Sequence, residues 1–436
     1  MRWRRHVRIV LLGALLACGE ACGETDARTP RDVHGETALQ IEIGTERFQR
    51  IDGFGVNSWT FPRGDDLGWC WRCVEDIHDD LRIDYARIAP WFEWWETIND
   101  DDDPATRGEF ATDRDFFHER DLPYAEYLAD RNVELTFGVW GFGEWLSQEG
   151  WIPPARYPEM AESITAYVEA MAREGVRFSV LEVQNEPAIR ASTEYRSPED
   201  LRDAARALLR ALDDAGFSDV NLHGPNADRP GTTEAWARVW LADETLRDRT
   251  AAVSFHTWWD EDEATFRAIA ELAAHHDKPV WATETGVCPY VHGCEDGGTL
   301  RPDEWSSVMD HAQSYVRALA WANATRVYHW ALLGNDGALA PTGERLAMVR
   351  LIESVSRTLR PRVQRIEARV DSLPVVAFQQ EECIRLFVIN DGPTRVLRAL
   401  PKSVTTISTG AGTTDAQGKF VRLPAQSFAD MHSRCP

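Results

Sequence analysis

The chain has 436 residues, 43% of them hydrophobic, and a formal net charge of −24 at pH 7. That length exceeds one ordinary domain and suits a barrel of about 250 residues with an accessory domain. Such acidity excludes nucleic acid as a natural partner and disfavours a polyanionic polysaccharide unless a local arginine cluster receives it.

The N-terminus reads as an export signal. Arg2, Arg4, Arg5 and Arg8 form a basic head before a short apolar run from Ile9 to Ala17, too short to span a bilayer. Leu15-Leu16-Ala17-Cys18 resembles a bacterial lipobox with Cys18 as the lipidated residue. An ordinary secretory signal cut nearby is the plainer alternative. The polar stretch 18–37 then serves as a tether. Contact with a membrane is expected only through this anchor.

Eight cysteines in an exported chain suggest disulfides. With Cys18 lipidated and Cys22 in the tether, local pairing would join Cys70 to Cys73, Cys288 to Cys294 and Cys383 to Cys435. Spacing alone leaves that connectivity open. Cys70-x-x-Cys73 has no second pair to complete a zinc site, which favours a structural role.

After the tether, residues 38–50 alternate (Leu39-Gln40-Ile41-Glu42-Ile43), and they are expected to add a strand to a C-terminal β-domain or to plug a barrel bottom. Eight barrel strands follow over 51–356. They are Arg50–Trp59, Asp84–Ala89, Val133–Trp140, Phe178–Val183, Val220–Gly224, Ala252–His256, Pro279–Ala282 and Arg326–Trp330. Helical patterns lie between them. In the clearest, Ser197 caps, Pro198 opens the first turn and Gly216 closes after Ala215. Others run over Ala161–Ala172 and Pro302–Ala322. Strands alternating with helices predict a parallel sheet closed into a (β/α)8 TIM barrel. From 357 to 436 short strands with Thr- and Gly-rich turns replace helical periodicity, as in an antiparallel β-sandwich.

Two motifs carry the chemistry. Val183-Gln184-Asn185-Glu186-Pro187 and Trp281-Ala282-Thr283-Glu284-Thr285-Gly286 each place a glutamate just beyond a β-rich apolar run. Carboxyl ends of barrel strands are where such barrels catalyse. The glutamates stand 98 residues apart, which fits three βα units of roughly 30 residues each. Two carboxylates facing one pocket can cut a glycosidic bond, Glu186 as acid/base and Glu284 as nucleophile. Glu284 must be ionised, so it needs donors and a cation, which Arg87 and His256 could supply. Glu186 must be protonated at rest, and the neighbouring glutamate's charge is expected to raise its pKa. Asn185 could reach a sugar 2-hydroxyl.

Taken singly, each residue has a plainer reading: a turn acid, a loop acid, a core histidine, a structural arginine. Eighteen tryptophans are costly as filler, because each buried N–H needs a partner. Trp140, Trp145, Trp258, Trp259 and Trp330 are expected to wall a sugar cleft, one or two of them as mere packing. Trp91 to Trp95 could line outer subsites. Asp100 to Asp103 reads better as a solvated loop than as a calcium site.

The opening Ile51-Asp52-Gly53-Phe54-Gly55 resembles that of glycoside hydrolase family 30, the glucosylceramidase-like group of clan A. The Asn185-Glu186-Pro187 strand, the Trp140…Trp145-Leu146…Gly150 loop, Leu359-Arg360-Pro361 and Arg365-Ile366 resemble the same family. The likeness spans residues 39 to about 370. It implies a (β/α)8 barrel with a side β-sandwich and retaining hydrolysis of β-linkages, with no cofactor and no metal. Val56 replaces an expected glycine, Trp258 an expected tyrosine, and the loop 332–342 carries no basic cluster. The expected substrate is therefore a neutral β-linked polysaccharide, oligosaccharide or glycoconjugate, met outside the cytoplasm by a monomeric, lipid-anchored enzyme. Two other classes remain: a non-catalytic carbohydrate-binding surface lipoprotein on the same scaffold, and a metal-dependent hydrolase using His223, His256 and His329.

Overall fold

The structure, a computed structural model, describes residues 38–58, 70–96, 98–99, 116–188, 195–259, 261–286, 303–333, 337–340, 342–400 and 403–433. The expectations for Cys18, Cys22, the signal and tether, Asp100–Asp103, Cys288, Cys294 and Cys435 fall outside them.

The barrel strands are β2 (Gly53–Ser58), β3 (Tyr85–Ile88), β4 (Glu134–Phe137), β5 (Val180–Leu181), β6 (Asn221–Ala227), β7 (Thr250–His256), β8 (Val280–Thr285) and β9 (Ala324–Leu333). They pair in parallel in the order β4-β3-β2-β9-β8-β7-β6-β5. The ring closes through single backbone bonds, Glu182 N–H to Phe137 C=O (3.1 Å) and Asn185 N–H to Val139 C=O (2.8 Å). A regular fourth barrel strand over Phe178–Val183 was expected; the regular part shrinks to two residues because those single bonds replace the ladder there. The eighth is longer than expected at both ends.

Helices Tyr157–Arg173, Pro198–Asp214 and Trp305–Ala320 occupy the places their periodicity predicts. Ser197 Oγ accepts from the Asp200 N–H at 3.2 Å, a side-chain N-cap that satisfies one free helix-start donor. Arg326 seals the barrel floor, its guanidinium held 3.7 Å from the Tyr85 ring and 4.0 Å from that of Trp281.

The remaining strands are β1 (Glu42–Arg50), β10 (Gln364–Arg369), β11 (Val375–Gln380), β12 (Cys383–Asn390), β13 (Arg395–Arg398), β14 (Ser403–Thr409), β15 (Gly412–Gln417), β16 (Phe420–Leu423) and β17 (Ser427–Ser433). A seven-stranded antiparallel sheet, β1-β10-β11-β12-β17-β14-β15, faces the β13-β16 pair. The N-terminal strand thus joins the C-terminal sheet through β10 rather than plugging the barrel. Phe378, Phe387, Ile389 and Phe428 belong to the barrel's apolar core, whereas Leu386, Val388 and Met431 fill the sandwich. Cys70 and Cys73 form a disulfide, and Cys383 is also disulfide-bonded.

Candidate active site

Six of the eight barrel strands, all but β4 and β9, deliver one polar layer at the carboxyl end of the barrel. Arg87, near the end of β3, is its hub and is fully buried. Its Nη1 donates to Asn57 Oδ1 (2.9 Å) and Glu284 Oε1 (2.7 Å). Its Nη2 donates to Asn185 Oδ1 (2.6 Å) and to Glu182 Oε1. Burial works against the Arg87 charge, but Glu182 and Glu284 outweigh it and raise its pKa. A guanidinium only donates, so the amide oxygens of Asn57 and Asn185 must be the atoms that face it. Asn57 Nδ2 in turn donates to the Thr283 carbonyl at 2.7 Å, tying β2 to the strand that carries Glu284.

Glu284 lies within β8 near its end, its side chain 2% exposed. Besides Arg87 it receives Trp258 Nε1 on Oε2 at 2.9 Å, and His256 Nδ1 stands 3.3 Å from the same oxygen. Trp258, found where a tyrosine was expected, therefore still presents a donor to this carboxylate. Burial nevertheless pushes the Glu284 pKa up to about 7, against the pull of His256 and Arg87, and Glu186 adds to the rise.

Glu186 follows β5 with φ +46°, the left-handed region that costs a non-glycine residue of order 1–3 kcal/mol and recurs at functional sites. Its side chain is 19% exposed, and Oε1 lies 2.8 Å from His256 Nδ1. Its pKa is pushed up to about 8. The neighbouring nucleophile was the expected cause; instead burial leads, followed by the charge of Asp228 and, after the opposing effect of Arg87, that of Glu182.

Ligand atoms of Glu186, His256 and Glu284 lie within 4.8 Å of one another. At that separation the two carboxylates share a proton near neutrality. Glu284, held by the Arg87 guanidinium and the Trp258 indole N–H, is the better anion, and Glu186 keeps the proton.

The tryptophans divide by role. Trp140 stacks on Trp330 (5.2 Å, 20° between planes), and Trp330 meets Trp258 edge-on at 6.2 Å. Trp91 stacks on Trp94 and tilts against Trp140, which continues the aromatic wall outward. Trp259 Nε1 donates to Asp228 Oδ2 at 2.7 Å, with the Arg229 guanidinium over its ring. Trp145 and Trp95 point their N–H groups at the backbone carbonyls of Glu96 and Ser163 and serve as packing.

The three histidines do not assemble. His223 is held by Thr136 and Ser254, and His329 by Tyr315, while His256 alone joins the carboxylates. A cavity of about 580 Å³ lies at the opposite end of the barrel, beside Asp52, Tyr85, Arg131 and Glu134, away from the carboxylate pair.

Asn57, Glu182, Asn226 and Asp228 were missed in the sequence. Glu182 carried a readable signal, a charged residue inside an otherwise apolar strand, which seldom stays buried without a partner.

No protein-family model matches this sequence, and no curated protein does either. Solved structures do match in fold. A family 30 endoxylanase from Clostridium papyrosolvens C71 superposes with a TM-score of 0.69 at 16% identity, covering 91% of this chain and 100% of that one. The family 30 subfamily 8 xylanase Xyn30A from Clostridium acetobutylicum gives 0.67 at 17% identity, over 91% and 99%. SrfJ from Salmonella typhimurium gives 0.67 at 17% identity, over 95% and 94%. The fold of this chain is accordingly that of the family 30 glycoside hydrolase structures, a (β/α)8 barrel with a side β-sandwich.

Proposed function

We propose that this protein is a retaining β-glycoside hydrolase. The observation that carries the reading is the pair Glu186 and Glu284, whose carboxylate oxygens lie within 4.8 Å and sit in unequal environments. Retaining enzymes hold their carboxyl groups about 5–5.5 Å apart, whereas inverting ones leave about 6.5–9.5 Å for a water. The glycosidase names borne by two of the matching structures point the same way.

In the first step Glu284 Oε attacks the anomeric carbon while Glu186 gives its proton to the departing glycosidic oxygen. This forms a glycosyl ester on Glu284 and releases the aglycone. In the second, Glu186, now ionised, takes a proton from water as the water oxygen displaces the ester, and Glu284 regains its charge. Arg87 and Trp258 hold the attacking carboxylate in position. The Trp258, Trp330 and Trp140 rings supply flat apolar faces suited to pyranose rings. The overall acidity and the absence of a basic cluster in the loop 332–342 favour a neutral β-linked polysaccharide, oligosaccharide or glycoconjugate.

Glu284→Gln should abolish hydrolysis of aryl β-glycosides while thermal unfolding stays close to that of the parent. Unchanged turnover would reject the assignment, and binding without turnover across glucoside, xyloside, galactoside, fucoside and polymer panels would favour the non-catalytic reading.

We further propose export and lipid anchoring at Cys18. Radiolabelled palmitate should label the parent in bacterial cells but not Cys18→Ser. Equal labelling of both would sink the anchor.

A further inference from the structure

Behind the carboxylate pair lies a second row of buried polar groups that the two-step chemistry does not itself use. Glu182, inside the barrel, accepts Arg87 Nη2 on Oε1 and Asn226 Nδ2 on Oε2. Asn226, which carries φ +61°, accepts the Thr283 hydroxyl on Oδ1, and its Nδ2 also stands 3.0 Å from His256 Nε2. His256 then presents Nδ1 to both catalytic carboxylates.

We infer that Glu182 and Asn226 are positioning residues that lock His256 as the tautomer with its single N–H on Nδ1, aimed at Glu186 and Glu284. This rests on reading those two glutamates as the catalytic pair. The lock follows from donor and acceptor accounting. An ionised carboxylate accepts only, so Asn226 must turn its NH2 toward Glu182. That same NH2 meets His256 Nε2, which must therefore hold a lone pair, leaving the proton on Nδ1. A doubly protonated imidazole would set N–H against N–H at Asn226. Burial likewise holds His256 below its usual pKa, although Glu284 pulls the other way. The charged groups around His256 are Glu186, Glu284, Arg87, Glu182 and Asp228, and His223 lies near it in the same interior.

The lock also serves the reaction. In the resting enzyme Nδ1 stands 2.8 Å from Glu186 Oε1 and 3.3 Å from Glu284 Oε2, so its single N–H lies between the two carboxyl groups and lends its partial positive charge to the Glu284 anion. Once Glu284 is esterified and Glu186 is ionised, the same N–H can turn wholly to Glu186.

Glu182→Gln reverses the chain of assignments. Arg87 only donates, so the amide oxygen of the new side chain must face Arg87 and its NH2 must face Asn226. Asn226 then flips, its oxygen faces His256 Nε2, and the proton moves to Nε2. A lone pair on Nδ1 now opposes both carboxylates.

Long-range 1H–15N correlation spectra of histidine-labelled protein read the tautomer directly, with His256→Gln identifying the signals. The expected result is pyrrole-type Nδ1 and pyridine-type Nε2 in the parent and in Glu182→Asp, and the reverse in Glu182→Gln. Nε2–H in the parent, or an unchanged pattern in Glu182→Gln, overturns the inference. The parent spectrum suffices if the variant fails to fold.

The pH profile adds a sign. Losing the donated N–H raises the acidic limb of kcat/KM by about one unit or more in Glu182→Gln. Loss of the Glu182 charge alone leaves Arg87 less neutralised and moves that limb down, so a downward or absent shift counts against the lock. The spectra need no substrate. A failure of glycosidase activity and a failure of the lock are therefore separate results.

Discussion

At the scale of single residues, the site works by unequal treatment of two similar carboxyl groups. Both are raised by burial and both meet the His256 imidazole, but Glu284 also faces a guanidinium and an indole N–H, whereas Glu186 faces the charge of Asp228 and keeps part of its surface toward the cleft. In the proposed reaction the active form has Glu284 ionised and Glu186 protonated. Activity should therefore rise as Glu284 loses its proton, near 7, and fall as Glu186 loses its own, near 8. The kcat/KM profile is expected to be a narrow bell between those limbs, because the two titrations lie close together. A plateau extending well below pH 6, about a unit under the lower limb, would show that the donors on Glu284 outweigh its burial.

At the scale of elements, strand ends determine which side chains can meet. Gly138, just after β4, lies against the Glu182 carboxylate. A Cβ there would stand 1.4 Å from Glu182 Oε1 and 2.6 Å from Arg87 Nη2. Neither group has room to retreat, since both are buried and tied to each other. Gly138→Ala should therefore cost about 1–3 kcal/mol or more of stability by overpacking. Activity should drop with it as Arg87 is displaced from Glu284. Denaturant unfolding beside an aryl β-glycoside assay checks both, and an unaffected variant would mean that the strand end yields more than its packing suggests. Gly138 stood in the predicted third barrel strand without any sign of this role. Its requirement comes from a glutamate 44 residues later, reached only once β4 and β5 lie side by side.

At the scale of the whole molecule, barrel and sandwich are joined on several sides. The first strand of the described chain pairs with β10, Trp305 stacks on Phe428 at 5.5 Å, and its Nε1 donates to the Gln426 carbonyl at 2.8 Å. Arg350 reaches the Thr409 carbonyl, and the buried Asp430 is held by Thr358 and Arg357. Apolar side chains of the sandwich also complete the barrel's outer core. Unfolding should therefore be a single cooperative transition, with calorimetric and van't Hoff enthalpies in agreement. Two resolved transitions would show that the halves are energetically separate.

The sequence by itself determined the alternation of strands and helices, the change to short strands beyond residue 357, and the two motifs ending in Glu186 and Glu284. These are local signals, written in periodicity, caps and the residue types next to a strand end. It also marked Arg87, His256 and the aromatic residues as belonging near strand ends. Only the tertiary structure decided that Asn57, Glu182 and Asn226 share one layer with them, and that Asp228 stands beside Glu186. A period of two tells which residues of a strand face inward, but not which inward residues of different strands stand at the same height. That is decided by the stagger of neighbouring strands when the sheet closes. Tertiary structure likewise decided why Glu186 keeps its proton, because burial is a property of the closed barrel and of no segment taken alone.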